Sequence, residues 1–497
     1  MAVLKLSTPG VYVQEIPSLP PSVAEVETAI PAFIGYTEKA NLTGTGDLKL
    51  VANKVNNLAE YEQFYGGPAL ETNDSVTVAV TDNGGGIYDV KITPDSTKLS
   101  KHNMYYAVKH FYDNGGGTCY VVAVDTYTGA AGSIKIADFT DPNKGVSVVA
   151  EIDEVTLLVV PESCNMSDGD YKTLVNALIT QASTLKDRFA IIDPKKVTPK
   201  NSSDPNGDID GDALIIRNAT LGTTENRYAA AYYPFLISTY AYNYDIDALK
   251  VDTCVKASGV AAFSVADFSN LPLHDAAAPN DTTKCVGKGS SLYAKIKDEM
   301  SRLYVTLPPS GAMAGLYTRV DSNKGVWKAP ANEALASVMM PSIAISSREQ
   351  ENLNIDPTSG KSINVIRSFP GYGTLVWGAR TLNGNDNEWK YISVRRFFNM
   401  VEESVKKSSQ WAVFEPNTSS TWVRIQAMIE NYLFLKWREG ALAGSKPEQA
   451  FYVRVGLGST MTSLDILEGR LNVEIGMAVA RPAEFVILKF TQLMQQS

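Results

Sequence analysis

Short apolar runs alternate with amphipathic segments along the first half of the chain. The runs are rich in β-branched residues, whereas residues 171–186 repeat their apolar side chains at helical spacing. Such alternation is typical of an open α/β sheet covered by helices. The pattern predicts helices at residues 102–113 and 171–186, and strands at residues 32–36, 119–124, 155–160, 189–193 and 229–236.

The clearest pattern lies in the last quarter of the chain. Residues 389–408 and 421–439 each carry an apolar stripe at helical spacing, and Gly440 follows the second stripe as a C-terminal cap would. After Gly444 the apolar period changes from about 3.6 to two, which indicates strands. These strands are predicted at residues 451–455, 471–479 and 484–491.

An isolated strand is predicted near the start of the chain. Residues 11–16 have high strand propensity, and Pro17, Pro20 and Pro21 exclude a helix immediately after them. No adjacent segment offers a hairpin partner. We therefore expect this strand to pair with a distant part of the sequence or with another molecule.

Composition divides the chain into four parts. Residues 1–21 are predicted to be an extended arm, residues 22–380 an α/β domain, residues 381–480 a C-terminal module and residues 481–497 a terminal strand. The fold class is thus a multidomain α/β and α+β mixture. Residues 66–100 are rich in Gly, Asn, Asp and Thr with short β-type runs, which predicts a small β insertion or a decorated loop. Residues 196–212 and about 240–300 are polar and irregular, so we expect them to be insertions facing solvent.

Charge and hydropathy exclude several functional classes. The chain has 45 Lys and Arg against 54 Asp and Glu, and basic clusters suited to phosphate contacts are missing from the sequence. No run approaches the roughly 18 apolar residues that a membrane span needs. The first residues do not resemble a secretory signal. We expect a protein made in the cytoplasm that binds neither nucleic acid nor membrane.

Motifs for catalysis, cofactors or metals are weak. Three histidines and four widely spaced cysteines offer little material for a metal site or a catalytic triad. One stretch, with Asn206, Asp208, Asp210 and Gly211, matches the start of a calcium loop, but Arg217 stands where the closing Glu belongs. We interpret it as a solvated acidic loop and predict no catalytic residue, no cofactor and no metal.

Several motifs together resemble the contractile tail sheath proteins of phage tails, R-type pyocins and extracellular contractile injection systems. The likeness reaches both ends and the centre of the chain. Four segments lie outside it and are expected to be insertions that vary within the family, at about residues 66–100, 127–150, 196–225 and 240–300. The motifs are Pro9-Gly10-Val11-Tyr12-Val13-Gln14-Glu15, residues 308–315 (PPSGAMAG), 325–332 (GVWKAPAN), 394–398 (VRRFF), 414–417 (FEPN), 437–444 (WREGALAG), 450–453 (AFYV) and 481–485 (RPAEF).

The resemblance implies that both terminal arms leave their own subunit. In such sheaths each arm adds a strand to the C-terminal sheet of a neighbouring subunit, so that the small sheet is completed by other chains. The implied contact residues are Val11, Tyr12, Val13 and Glu15 of the first arm and Phe485, Ile487 and Leu488 of the second.

The resemblance also implies the partners. It implies a helical stack of rings, which we expect to be hexameric, around an inner tube, with baseplate and terminal cap proteins at its ends. The C-terminal module faces the tube, and its first helix carries Glu402, Glu403, Lys406 and Lys407 within about one and a half turns. We expect these charges to face the tube; the alternative is an ordinary solvated helix face with i,i+4 pairs.

Two other functions are compatible with the pattern. One is an α/β enzyme whose site has no recognisable motif, and the other is a different self-assembling shell, which would form closed particles rather than cylinders. Within the sheath family, one chain with both the N-terminal arm and the whole C-terminal module resembles phage or extracellular systems more than the two-protein type VI arrangement.

Overall fold

The computed structural model describes residues 23–127, 133–200, 207–222, 224–485 and 487. They form two compact units. The large unit contains Glu27–Asn399 and the described residues after Ala480, and the small unit contains residues 23–26 and Met400–Ala480. The predicted division at residue 380 thus differs from the one between Asn399 and Met400. The following predicted contact residues lie outside the described residues: Val11, Tyr12, Val13, Glu15 and Leu488.

Most secondary structure belongs to the large unit. Its described strands are β1 (Pro31–Thr37), β2 (Asn53–Val55), β3 (Val76–Asp82), β4 (Tyr88–Pro94), β5 (Cys119–Thr126), β6 (Leu157–Val159), β7 (Phe189–Ile192), β8 (Ala229–Tyr233), β9 (Leu236–Ala241), β10 (Thr253–Lys256), β11 (Tyr304–Leu307), β12 (Glu333–Ala334), β13 (Val338–Pro341), β14 (Ile363–Phe369) and β15 (Gly373–Val376). Its described helices are α1 (Leu58–Tyr65), α2 (Met104–Asp113), α3 (Ala137–Thr140), α4 (Val146–Ala150), α5 (Asp168–Leu185), α6 (Ile209–Ala219), α7 (Ser291–Ser301), α8 (Ser310–Lys324), α9 (Ser347–Asn354) and the first half of α10 (Ile392–Ser408).

The small unit contains the second half of α10. Its other described elements are α11 (Ser419–Arg438), α12 (Pro447–Ala450), β16 (Phe451–Val455), α13 (Ser463–Leu467) and β17 (Val473–Met477).

A nine-stranded sheet forms the centre of the large unit, in the order β12-β15-β14-β8-β7-β6-β1-β5-β2. The six strands from β14 to β5 run parallel, and the edge pairs β14–β15, β15–β12 and β5–β2 are antiparallel. Every residue of β1 is buried, as expected for a strand with helices on both faces. The predicted α/β sheet is therefore confirmed. The run at residues 229–236 forms two strands because Pro234 lies between them and has no N–H for a ladder.

Helices cover both faces of the main sheet. The helix α5 buries Tyr171 and Leu178 on one face, together with Ile216 of α6. On the other face, Phe111 of α2 and Leu316 of α8 belong to a second apolar cluster. Residues 127–150 and 196–225, which we expected to be insertions, thus carry the helices α3, α4 and α6, and their apolar side chains join the main core.

Two insertions that are distant in sequence form one subdomain. The strands β3 and β4, from residues 66–100, make a three-stranded sheet with β10, from residues 240–300. The helix α7 contacts β4, and Val78, Leu249, Phe268 and Leu292 share a core of their own. Residues 240–300 are therefore not simply irregular and solvent-facing, because their apolar residues are buried against a segment some 170 residues away.

The calcium-like stretch forms the start of a helix. Asp208 is the N-cap of α6 and accepts a hydrogen bond from the N–H of Gly211 at 3.0 Å. Asp212, one turn further on, is buried. Its carboxylate accepts hydrogen bonds from the hydroxyl groups of Thr198 and Tyr233, each at 2.9 Å. Our interpretation of this stretch as a solvated acidic loop is corrected in one respect: from Ile209 onward it is helical, with Asp208 as the cap. Asp208 and Asp210 are exposed, as expected, and Asn206 lies outside the described residues.

Residues 308–315 owe their composition to close packing. A Cβ at Gly311 would lie 2.5 Å from the carbonyl oxygen of Ala107 in α2, and one at Gly315 would collide with the carbonyl oxygen of Phe111. At the start of α8, the N–H and hydroxyl of Ser310 donate to the carboxylate of Asp193, at 2.8 and 2.5 Å. Burial raises the pKa of Asp193 to about 7. This motif thus holds α8 against both α2 and the end of β7.

Candidate assembly site

Two adjacent arginines in the first half of α10 are buried within the large unit. Arg396 donates two hydrogen bonds to Asp321, at 3.0 and 2.5 Å, and its guanidinium lies 4.6 Å from the ring centroid of Tyr317. Arg395 stacks on Trp389, 4.3 Å from the ring centroid. Both side chains of the Arg396–Asp321 pair are almost fully buried. The VRRFF motif therefore fixes the start of the helix through charge and stacking rather than presenting charge to solvent.

The four charged residues predicted to face the tube do not share one surface. Glu402 and Lys406 are exposed and Lys407 is half-buried, whereas Glu403 is buried. Glu403 forms ion pairs with Lys406 at 3.0 Å and with Lys407 at 3.5 Å, along its own helix. The burial of Glu403 in the single chain was not expected from its spacing, whereas contact of this helix with a tube stays a prediction. Glu402 and Lys406 are the exposed members of the four.

In the small unit, a sheet of two antiparallel strands lies beside a long helix. The strands β16 and β17 pair along their whole length, and within the described residues neither has a second neighbouring strand. A groove of about 700 Å³ runs between α11 and β16. Its apolar lining includes Ala427, Phe434, Pro447, Phe451 and Tyr452. A strand with one free edge offers backbone N–H and C=O groups to another chain.

The loop between α10 and α11 exposes an aromatic side chain. Phe414 is completely exposed and has a φ of 67°, which is unusual for a bulky residue. Asn417, three residues later, accepts a hydrogen bond from the indole of Trp422 at 2.6 Å and donates to the carbonyl oxygen of Arg470 at 2.9 Å. The FEPN motif therefore ties this loop to the rest of the small unit while leaving Phe414 in solvent.

The chain leading out of the N-terminal arm is bonded within the small unit. The N–H groups of Ala24 and Val26 donate to the hydroxyls of Ser408 and Ser404, both at 3.1 Å. The carboxylate of Glu25 lies 2.5 Å from the ammonium of Lys436.

The chain leading into the C-terminal arm is bonded within the large unit. Glu484 of the RPAEF motif accepts two hydrogen bonds from Arg380, at 2.7 and 2.5 Å, and a longer one from Tyr391 at 3.3 Å. Beyond it, Phe485 and Ile487 are 70% and 80% exposed. Glu484, Phe485 and Ile487 belong to no strand of this chain, and the other residues of the predicted strand at 484–491 lie outside the described part.

Arg380 and Glu25 escaped sequence reasoning. Each is a single charged residue in a segment without a clear period, and its partner lies about 100 or more residues away in sequence. The sequence did contain one indication of a buried ion pair: Glu484 is a single acidic residue between apolar residues of the RPAEF motif.

Other kinds of site find no support in the described residues. None of their helices is long and apolar enough to cross a bilayer. Among the same residues, no group of three or more His, Cys, Asp and Glu side chains is placed to hold a metal ion.

Comparison with known proteins gives consistent results. Residues 384–492 match the family model of the phage tail sheath C-terminal domain. The tail sheath protein of Enterobacteria phage T4 is 26% identical over 152 residues, which cover 29% of this chain and 23% of the relative. The chain thus matches less than a quarter of that relative's length. The tail sheath protein of Burkholderia phage BcepMu is 24% identical over 66% of this chain and 73% of its own.

Solved structures extend the likeness to nearly the whole chain. The sheath complex of the extracellular contractile injection system PVC, determined by cryo-EM in its contracted state, is 30% identical. The similarity covers 98% of both chains with a TM-score of 0.61. The helical sheath of the anti-feeding prophage, also contracted, is 28% identical over 98% of this chain and 99% of its own, with a TM-score of 0.59. The chain therefore belongs to the family of sheath proteins of contractile tails and contractile injection systems.

Proposed function

We propose that this chain polymerises into a hollow helical sheath around an inner tube. The extended lattice is metastable and stores the free energy that contraction releases. A signal from the baseplate releases the lattice, which shortens as subunits swing outward and drives the tube through a target envelope. New contacts between subunits supply the energy, so the chain acts as a structural protein without a cofactor. The contracted state of two relatives supports this cycle.

Strand donation is the link that we propose between subunits. The observation that carries it is the two-stranded sheet of β16 and β17, whose strand β16 lines a groove of apolar and charged side chains and has no second neighbouring strand among the described residues. A donated strand would form roughly four to six backbone hydrogen bonds, each worth about 0.5–1.5 kcal/mol net. Burying an apolar side chain such as Phe485 or Ile487, both exposed in the single chain, would add about 1.5–3 kcal/mol.

Assembly follows from the same proposal. Subunits made in the cytoplasm form stacked rings, which we expect to be hexameric as in the family, with baseplate and cap proteins at the two ends. The finished particle is a phage tail or a related injection particle.

Electron microscopy of full-length protein beside a chain lacking residues 1–20 tests strand donation. We expect hollow cylinders from the full-length chain and monomers from the truncated one, because the deletion removes the donated strand at residues 11–16. Intact chains that stay monomeric at high concentration with the tube protein present would contradict the sheath proposal. Closed shells would instead support a different assembly.

A paired substitution provides the matched control. Replacing Tyr12 and Val13 by proline removes two backbone N–H donors, whereas replacing both by threonine keeps them and retains strand propensity. The proline variant should fail to form cylinders and the threonine variant should form them. Equal assembly by both variants would mean that the arm acts through something other than a backbone ladder.

The second half of α10 is the proposed contact with the tube. Its exposed charges are Glu402 and Lys406. Glu402→Lys should reduce the number of extended particles assembled on the tube at low salt, because one exposed ion pair is worth about 0.2–1 kcal/mol and recurs in every subunit. Glu388→Lys, at an exposed position of the large unit, is the control and should leave assembly unchanged. Unchanged particles with Glu402→Lys would rule out this surface.

A further inference from the structure

The segments that lead to the two arms are attached to different units. Residues 23–26 belong to the small unit, whereas the described residues after Ala480 belong to the large unit. The chain therefore leaves the small unit at Ala480 and continues in the large unit from Arg481. If both attachments are firm, a force on the N-terminal arm acts on the small unit and a force on the C-terminal arm acts on the large unit.

The attachment on the large unit is a largely buried ion pair. Arg380 is 5% exposed, and its guanidinium donates two hydrogen bonds to the carboxylate of Glu484, at 2.7 and 2.5 Å. Paired hydrogen bonds between opposite charges are the strongest and most directional of their kind. They make Glu484 the point at which the C-terminal segment is held.

Arg380 is itself fixed to the main sheet. Asn364 in β14 accepts a hydrogen bond from the N–H of Arg380 and donates one to its carbonyl oxygen, both at 2.8 Å. Asn364 is buried and also donates to the carbonyl oxygen of Ala231 in β8. A continuous path of short bonds thus connects Glu484 to two parallel strands at the centre of the large unit.

The attachment on the small unit uses different groups. Glu25 contacts the ammonium of Lys436, and the flanking N–H groups of Ala24 and Val26 donate to Ser408 and Ser404. These partners lie on the second half of α10 and on α11. Among the described residues, these three bonds stay within the small unit.

We propose that Glu484 anchors the C-terminal arm to the main sheet of the large unit through Arg380, while Glu25 anchors the N-terminal arm to the small unit. This inference rests on the proposed donation of both arms to neighbouring subunits. Each subunit then holds its neighbours by two mechanically distinct links. The C-terminal link couples a neighbour's sheet to the large unit, and the N-terminal link couples one small unit to another.

Hydrogen exchange of the full-length monomer tests the two anchors without requiring assembly. Glu484→Gln should speed exchange about 10- to 100-fold at the amides of Arg380 and Thr381, the change expected when a hydrogen bond to a charged group is lost. Glu25→Gln should do the same at Ala24 and Val26. Glu299→Gln, which weakens the ion pairs of Glu299 with Lys295 and Arg302 at α7, is the control and should change neither set.

Urea resistance of assembled sheaths tests the mechanical role. Glu484→Gln sheaths should come apart at lower urea than Glu299→Gln sheaths, or not assemble, while the variant monomer keeps its fold and its circular dichroism. Two results would overturn the inference: exchange at Arg380 and Thr381 that stays unchanged in Glu484→Gln, or sheaths of that variant as resistant as the control. Failure of the unmodified chain to form any cylinder would instead overturn the proposed function, and the monomer exchange would still report the anchors.

Discussion

Replacing Gly315 by leucine should destabilise the large unit by about 3 kcal/mol, the upper end of the usual cost of overpacking. A Cβ at this position of α8 would collide with the carbonyl oxygen of Phe111 and lie 2.8 Å from the Cβ of Asn114. The obstacle is the backbone of α2, which cannot rotate away as a flexible side chain can. The two helices would have to separate, and both bury residues of the same apolar cluster.

The control for this prediction is the same change at another helical glycine. Gly169, in the first turn of α5, has no atom within 4 Å of an added Cβ. Gly169→Leu should therefore leave stability unchanged or raise it by up to about 1 kcal/mol, since glycine is a poor helix former. Urea unfolding followed by circular dichroism measures both variants. Similar midpoints for the two leucine variants would show that α2 and α8 can separate without cost.

Replacing Asp321 by asparagine should cost about 3–5 kcal/mol, because it leaves the guanidinium of Arg396 buried without its counter-charge. The side chains of the pair are 5% and 6% exposed, so water does not replace the lost carboxylate. The exposed pair of Arg302 and Asp298 is the control. Asp298→Asn should change the free energy of unfolding by no more than about 1 kcal/mol.

A double substitution separates the charge from the volume of this pair. Arg396→Met together with Asp321→Leu removes both charges and keeps apolar bulk beside Tyr317 and Phe397. Replacement of a buried ion pair by apolar residues is often neutral, so the double variant should recover most of the stability lost in Asp321→Asn. Thermal unfolding measures the set. A double variant less stable than Asp321→Asn would mean that the geometry of the pair, rather than its charge balance, holds α10.

Local patterns in the sequence were sufficient to predict the helices α2, α5, α10 and α11 and most of the buried strands of the main sheet. The run at residues 119–124 became β5 and the stripe at residues 421–439 became α11, because burial on one or both faces imposes a period that is visible within about ten residues. Gly440 follows α11 with a φ of 87°, as its position after the stripe predicted. The family motifs also lay in the sequence, since each is a continuous segment.

Only the tertiary structure decided which distant segments meet. The subdomain of β3, β4 and β10 joins two insertions whose apolar residues, taken separately, showed no common period. Glu403 had the spacing of a surface charge, yet its side chain lies buried. The partners of Glu484 and Glu25 could not be predicted from the sequence either. Periodicity reports which face of an element is buried, whereas the pairing of charges depends on where the folded chain brings residues that are far apart in sequence.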